Sequence, residues 1–373
     1  MTFPLSGVRV IELSRILAGP WAAQTLADLG AEVIKVESPD GDDTRKWGPP
    51  FVEHDGQESA AYYHCCNRSK KSVTIDFRRE EGRAELLDLI DGADVLIENF
   101  KVGGLAKYGL DYETLKAKHP KLIYCSITGF GQDGPYAKRA GYDFLLQGMS
   151  GLMSITGEPD QSPQKVGVAV TDIFTGLYSV IAIQAALRAR ETSGRGTHID
   201  MALFDTSVAV TANQAMNYLA TGTAPTRLGN AHPNIMPYTA VTCSDGHIIL
   251  AVGNDGQFEK FCGIVDATTL AEDPKFSTNP ARVENRDALM ELIEAKTTTW
   301  TKAALLEACA THGVPAGPIN TMDEVFSDPQ AIHRGLKLDL DGVPSVRNPI
   351  RFSDIDLPEP TASPVHADPK TKT

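Results

Sequence analysis

Asp172 is the only acid in the stretch Gly167-Val-Ala-Val-Thr-Asp-Ile-Phe-Thr-Gly-Leu-Tyr178, which leads into an apolar run over residues 177–187. That run has Ala and Ile at helical spacing, so Asp172 falls at a helix start. Two roles fit an acid there. Its side chain can cap free backbone N–H groups, and its charge suits the helix dipole. Alternatively, a carboxylate among apolar neighbours, with Gly176 letting a ligand approach the backbone, can attack an acyl carbon. A second chemistry lies in Arg68, Lys70, Lys71, Arg78 and Arg79, five cations within twelve residues. They form either a solvated charged edge or a phosphate site built on charge-assisted hydrogen bonds. The cysteines at 65, 66, 125, 243, 262 and 309 show no Cys-x-x-Cys spacing. They read as reduced thiols of a cytoplasmic protein without a metal site.

The chain has 373 residues and a formal net charge of −13. Such acidity disfavours nucleic acid and anionic membranes as partners, and an anionic ligand would need a local basic patch. No apolar run is read as long enough to span a membrane, and the N-terminus lacks a charged-then-apolar leader pattern.

The positioning elements follow from the apolar pattern. Residues 8–13 read as a buried strand, 18–30 as a helix with Pro20 near its first turn and Gly30 as its stop, and 32–37 as a strand. That βαβ unit implies a parallel sheet and an α/β protein. The turn Ser14-Arg-Ile-Leu-Ala-Gly-Pro20 lacks the glycine-rich dinucleotide fingerprint, which argues against a nicotinamide cofactor. Further strands are expected at 72–76, 93–98, 121–127 and 198–201, and helices at 80–91, 141–154 and 203–219. The turn-rich segment 128–135 ends a strand, at the sheet edge where ligands bind. A shift to Thr, Pro, Gly and Asn around 221–234 marks a boundary. Beyond it a hairpin (238–243, 247–252) and helices at 257–265, 286–297 and 302–312 make a small α+β unit. Residues 314–319 and those from 325 onward are expected to return to the first unit. The domains are thus read as 1–222 with 325–373, and 223–324 with linkers. The tail after Pro358 reads as extended or mobile.

Several segments together resemble the class III coenzyme A transferases (CaiB/BaiF type), the group of formyl-CoA, carnitine-CoA and succinyl-CoA:dicarboxylate transferases. They are Pro4-Leu-Ser-Gly-Val-Arg-Val-Ile-Glu-Leu13, Ala18-Gly-Pro20, Leu29-Gly-Ala-Glu-Val-Ile-Lys-Val-Glu37, Asn67-Arg-Ser-Lys-Lys71, Glu98-Asn-Phe100, Thr128-Gly-Phe-Gly-Gln-Asp-Gly-Pro135 and Gly194-Arg-Gly196. The likeness runs from about residue 4 to residue 355. It implies a large Rossmann-like domain made from both chain ends, a small domain, and two subunits threaded as interlocked rings. The family's nucleophilic Asp falls on Asp172.

The resemblance also places the adenine-nucleotide part of CoA along Ile16, Leu17, Ile75, Asp76, Arg78, Asn99, Phe100, Lys101, Lys107, Gly141, Tyr142 and Asp143. An Arg that some members carry after the second strand is Ser38 or Pro39 here, so Lys70, Lys71 or Arg79 is expected to stand in. The family's Gly-Glu-His-Thr near the C-terminus is replaced by Pro364-Val-His-Ala367, so the last family helix is expected to be absent. Racemases of the family carry a His where this chain has Tyr142, a poor base at neutral pH. That leaves CoA transfer ahead of racemisation or mere CoA binding. Acyl-CoA and a small carboxylic acid are the expected substrates, with no permanently bound cofactor. Arg45, in Gly41-Asp-Asp-Thr-Arg-Lys-Trp-Gly-Pro-Pro50, is expected to hold a distal carboxylate bidentately, which favours dicarboxylates such as glutarate. Asn230 and His232 sit in Gly229-Asn-Ala-His-Pro-Asn-Ile-Met-Pro-Tyr238, either as loop punctuation or in a lid over the acyl group.

Overall fold

A computed structural model describes residues 3–367. The chain divides into two compact units. The first takes the residues up to Leu152, Lys165–Ala212 and those from Pro329 on, and the second takes Met153–Gln164 and Asn213–Asp328.

The first unit is a six-stranded, all-parallel sheet. Its strands are β1 (Arg9–Glu12), β2 (Glu32–Glu37), β3 (Lys71–Thr74), β4 (Val95–Glu98), β5 (Ile123–Thr128) and β6 (His198–Ala202), in the order β3-β2-β1-β4-β5-β6. Both faces are apolar, because successive side chains point to opposite sides of a strand. Val10, Val95, Ile97, Ile123 and Cys125 pack on one side, under helices α1 (Ala18–Asp28) and α4 (Val170–Ser193). Ile11, Leu96 and Tyr124 pack on the other side, under α2 (Glu80–Ile90). A short helix α3 (Asp143–Met149) precedes α4. The mixed α/β reading and the strand positions therefore stand.

Helix α4 corrects one expectation. It begins at Val170, well before the apolar run at 177, and it spans 24 residues, of which an 18-residue window has a mean hydropathy of 1.5, so by length and composition it is long and apolar enough to cross a membrane. In this fold it lies against α1. A Cβ on Gly176 would come within 2.7 Å of the Ala18 carbonyl oxygen, so only glycine permits this approach. Thr175 and Ser179 satisfy their hydroxyls on carbonyls one turn back at 2.7 and 2.8 Å. The opposite face leaves Phe174, Leu177, Tyr178 and Ile181 exposed.

The expected single helix at 203–219 is two, Leu203–Ala209 and Ala212–Thr221, broken where Ala212 takes a φ of 43°. The polar loop after β2 continues into an unforeseen hairpin, Phe51–His54 with Gln57–Ala60. The tail is fixed as far as Ala367. Thr361 exchanges hydrogen bonds with Ser69, and the carbonyls of Pro364 and Ala367 accept from Arg45 and Thr74. No helix forms over the described part of this tail, and residues 368–373 lie outside the described residues.

The second unit has its own core around Val241, Ile248, Leu250, Phe258, Phe261, Leu289 and Leu305. The hairpin Tyr238–Cys243 with Gly246–Ala251 forms as expected, turning where Gly246 takes a φ of 137°. Ala316–Pro318 adds a third antiparallel strand to it, so this segment belongs to the second unit rather than returning to the first.

Candidate active site

Asp172 occupies the first turn of α4, yet it is not the residue that caps it. Asp143 caps that turn from α3, accepting the Thr171 N–H at 2.8 Å. Asp143 also accepts from Gln147 at 2.8 Å, so its carboxylate is committed. Among the described residues nothing donates a hydrogen bond to the Asp172 carboxylate. Burial and the charge of Asp143 push its pKa up to about 7. The result is a carboxylate with free lone pairs, poorly stabilised as a spectator and available as a nucleophile. The backbone N–H groups at this helix start are largely used and leave few donors for an oxyanion, since Val170 donates to Val168 and Thr171 to Asp143. Tyr62 has no role in the sequence reading. Burial and the charges of Asp172 and Asp143 raise its pKa, and its ring meets Trp47 edge-on at 5.3 Å.

Asp172 lies in the wall of a cavity of about 500 Å³ contained in the first unit. The cavity opens over the C-terminal ends of β1, β4 and β5, where an open parallel sheet binds ligands. Two glycines shape it. A Cβ on Gly129 would fall 2.6 Å from the Gly141 Cα, so the turn after β5 and the start of α3 can meet only without side chains. Six cations line the cavity: Arg15, Arg78, Lys101, Lys107, Lys138 and Arg139. Arg15 is paired with Asp43 at 2.7 Å and Arg78 with Asp76 at 2.7 Å. Among the described residues the other four have no carboxylate partner. In a chain of net charge −13, such a concentration of cations suits a multiply anionic ligand.

Of the expected cofactor residues, Ile16, Leu17, Arg78, Asn99, Phe100, Lys101, Lys107, Gly141 and Tyr142 line this cavity. Arg15, Lys138 and Arg139 also line it, although Arg15 stands alone among uncharged neighbours and Lys138-Arg139 is only a two-residue basic pair in a turn-rich segment, too little charge in either stretch to signal a site in sequence.

The remaining expected residues sit elsewhere. Ile75 is buried in the apolar core, and Asp76 is the carboxylate partner of Arg78 and Arg79. Lys71 is exposed and paired with Glu32 at 2.7 Å. Lys70 is corrected from a phosphate ligand to a buried counter-ion, with its Nζ 2.8 Å from Glu12 and donating to Asn67 and to the Pro20 carbonyl. Lys35 completes the cluster, 3.3 Å from Glu12 and 2.9 Å from Asp42. Arg68, also in the expected phosphate cluster, is buried in a two-bond pair with Asp28.

Arg45 is corrected as well. Its guanidinium already has a bidentate carboxylate, donating to Glu37 at 2.8 and 2.7 Å. It also donates to the Tyr63 hydroxyl and the Pro364 carbonyl, and stacks 3.7 Å from the centre of the Tyr63 ring. Burial raises the Glu37 pKa, but Arg45, Lys35 and Ser72 outweigh it and bring it down to about 2. Arg45→Ala is therefore expected to cost about 3–5 kcal/mol of stability by leaving Glu37 buried without its partner. Urea unfolding measures that loss, and KM for a carboxylic acid substrate should not move. A raised KM at unchanged stability would restore the acid-binding role.

Asn230 and His232 lie in the second unit. Asn230 is exposed, and the His232 ring accepts the Asn234 N–H on Nδ1 at 3.0 Å and packs 5.3 Å from the Tyr238 ring.

The first βα turn is the most unusual part of the cavity wall. Ile16 has a φ of 74°, a left-handed backbone that costs a β-branched residue roughly 1–2 kcal/mol. The Asn99 side chain brackets the preceding residue, its oxygen accepting the Arg15 N–H at 2.9 Å and its nitrogen donating to the Arg15 carbonyl at 2.7 Å. Asp42 faces the Ile16 N–H at 3.5 Å and the Cys66 thiol faces the Ile16 carbonyl at 3.6 Å. Next to Asn99, the buried Glu98 accepts the Phe100 N–H at 2.7 Å, and burial raises its pKa to about 6.

A parallel sheet whose carboxyl edge carries a cationic cavity and one unpaired carboxylate is the framework of an enzyme acting on a large anionic substrate. The chain belongs to the CoA-transferase family III, whose model matches residues 5–368. The succinate–glutarate CoA-transferase of Agrobacterium fabrum is 59% identical over 97% of this chain and 92% of its own length. The human succinyl-CoA:glutarate CoA-transferase is 42% identical over 97% of this chain and 83% of its own. A crystal structure of a CaiB/BaiF family protein from Brucella suis is 62% identical, covers 98% of this chain and 97% of its own, and superposes with a TM-score of 0.89.

Proposed function

We propose that this chain moves coenzyme A from succinyl-CoA to a dicarboxylate of the glutarate type, with Asp172 as the nucleophile. The observation that carries the proposal is an unpaired carboxylate, with its pKa lifted to about 7, in the wall of a cavity lined by six cations. CoA brings phosphates to the cations and a thioester to the acid. The Asp172 carboxylate attacks the thioester carbonyl and CoA leaves as a thiolate, giving a mixed anhydride. The thiolate returns to the aspartyl carbonyl, which releases succinate and leaves an aspartyl-CoA thioester. The acceptor carboxylate attacks that thioester and expels the thiolate again. The thiolate then takes the acceptor's acyl group, freeing Asp172 and the new acyl-CoA. Holding CoA throughout makes each thiolate attack intramolecular.

With Arg45 committed to Glu37, the dicarboxylate preference rests on the activities named for the relatives above. The loop from Gly229 to Tyr238, with Asn230 exposed, is proposed to recognise the acid. The first unit is proposed to be Rossmann-like, supported by its strand order. Two copies are proposed to interlock, supported by the apolar face of α4 left uncovered in a single chain. A cytoplasmic location is supported by six unbridged thiols.

The test is a panel of acceptors offered with succinyl-CoA. Glutarate and its C4–C6 neighbours are expected to yield acyl-CoA products at the highest kcat/KM. Faster turnover of oxalate or of monocarboxylates would defeat the specificity, and no transfer to any acid would defeat the activity.

A further inference from the structure

We propose that Asn99 is a positioning residue: it clamps the Arg15–Ile16 turn in its left-handed form and so sets the cavity wall at the first βα connection. This deepens the CoA-binding reading of the same cavity and rests on it. At this connection a dinucleotide-binding fold uses glycine to make the tight turn. Here no glycine is present before Gly19, and Ile16 itself takes the φ of 74°. A left-handed β-branched residue persists only where its surroundings hold it. The surroundings are specific. Asn99 follows directly on β4, the neighbour of β1, and its amide satisfies the N–H and the C=O of Arg15 together, at 2.9 and 2.7 Å. The contacts of the adjoining Asp42 and Cys66 with Ile16 are longer, at 3.5 and 3.6 Å, so the Asn99 clamp is the firm one. Its oxygen and one of its two N–H donors are thereby engaged, which a residue kept mainly to grip a ligand would leave open. Ile16, Leu17, Asn99 and Phe100 all line the cavity, so moving this turn moves the wall.

The clamp has a signature that direct ligand contact lacks. If Asn99 works by holding a strained turn, relieving the strain makes it dispensable. Asn99→Ala is expected to weaken CoA binding roughly tenfold by calorimetry, the loss of two hydrogen bonds on a strained segment. It should raise KM for acyl-CoA more than it lowers kcat. In the Ile16→Gly background, where a left-handed φ costs little, the same Asn99→Ala change should weaken CoA binding less than about twofold.

Strain is read separately, without ligand. Ile16→Gly and Ile16→Ala remove the same atoms beyond Cβ, but only Ala keeps a Cβ in the left-handed region. The Gly variant is expected to melt a few degrees higher. Equal melting temperatures, or an Asn99→Ala loss of the same size in both backgrounds, would overturn the clamp and make Asn99 a ligand contact. A wild-type chain that bound no CoA would defeat the CoA reading, while the melting comparison would still decide the clamp.

Discussion

Asp172→Ala should turn over at least on the order of a thousandfold more slowly than the parent chain while still binding CoA, because it loses the group proposed to form the acyl-enzyme. Asp172→Asn should fail equally, since an amide keeps the shape but cannot attack a thioester. The pKa of about 7 adds a pH signature. The nucleophile is the ionised form, so kcat/KM should rise with pH through a one-proton step near 7. Stability should run the opposite way. The folded pKa lies above the ordinary value of 3.8. Between the two, the folded chain keeps a proton that the unfolded chain has lost, so stability falls as pH rises through that window. Asp172→Asn should therefore melt higher than the parent at pH 8, by differential scanning calorimetry. An unchanged or lower melting temperature would contradict the idea that ionised Asp172 is held at a cost.

The second large effect belongs to Lys35, a fully buried cation in the middle of β2. Glu12, Glu37 and Asp42 are balanced by Lys35, Lys70 and Arg45 beneath the first βα turn. Lys35→Met would leave Asp42 without its cation and Glu12 with half its compensation. The expected loss is about 3–5 kcal/mol in urea unfolding, the usual consequence of breaking a buried pair from one side. CoA binding should weaken with it, because Asp42 faces the Ile16 N–H and its side chain caps the turn at Thr44. Lys71→Met is the control. Lys71 pairs with Glu32 at the surface, and such pairs contribute about 0–1 kcal/mol. Equal losses in the two variants would mean that the buried cluster is no more than a surface-like set of charges.

The two lysines show what was legible in the sequence and what was not. Lys70 and Lys71 are adjacent and both basic, so a row of letters treats them alike, yet one is buried against Glu12 and the other points into solvent. The pairing of positions 12, 35, 42 and 70 is a property of the sheet and cannot be seen locally. Arg45 was misjudged for the same reason, since Glu37 lies eight residues away on the preceding strand. The strands were legible because fully buried parallel strands are short apolar runs between turn residues. Asp172 was legible as an acid at a helix start, but its two local readings separated only when Asp143 proved to be the cap. The length of α4 was hidden because Thr171, Asp172 and Thr175 interrupt the apolar letters without interrupting the helix. The tail looked structureless by composition, and it has no regular structure, but its backbone is hydrogen-bonded to Arg45 and Thr74 as far as Ala367.

The most direct test of Asp172 as nucleophile is to incubate the chain with succinyl-CoA and no acceptor, reduce with borohydride, digest, and locate the change by peptide mass spectrometry. An aspartyl thioester or anhydride is reduced to the alcohol, so the peptide spanning Gly167 to Tyr178 should lose the mass difference between a carboxyl and a hydroxymethyl group, at Asp172 alone. The Asp172→Asn variant should show no change. A modified residue elsewhere, or full turnover with Asp172 unmodified, would contradict the assignment.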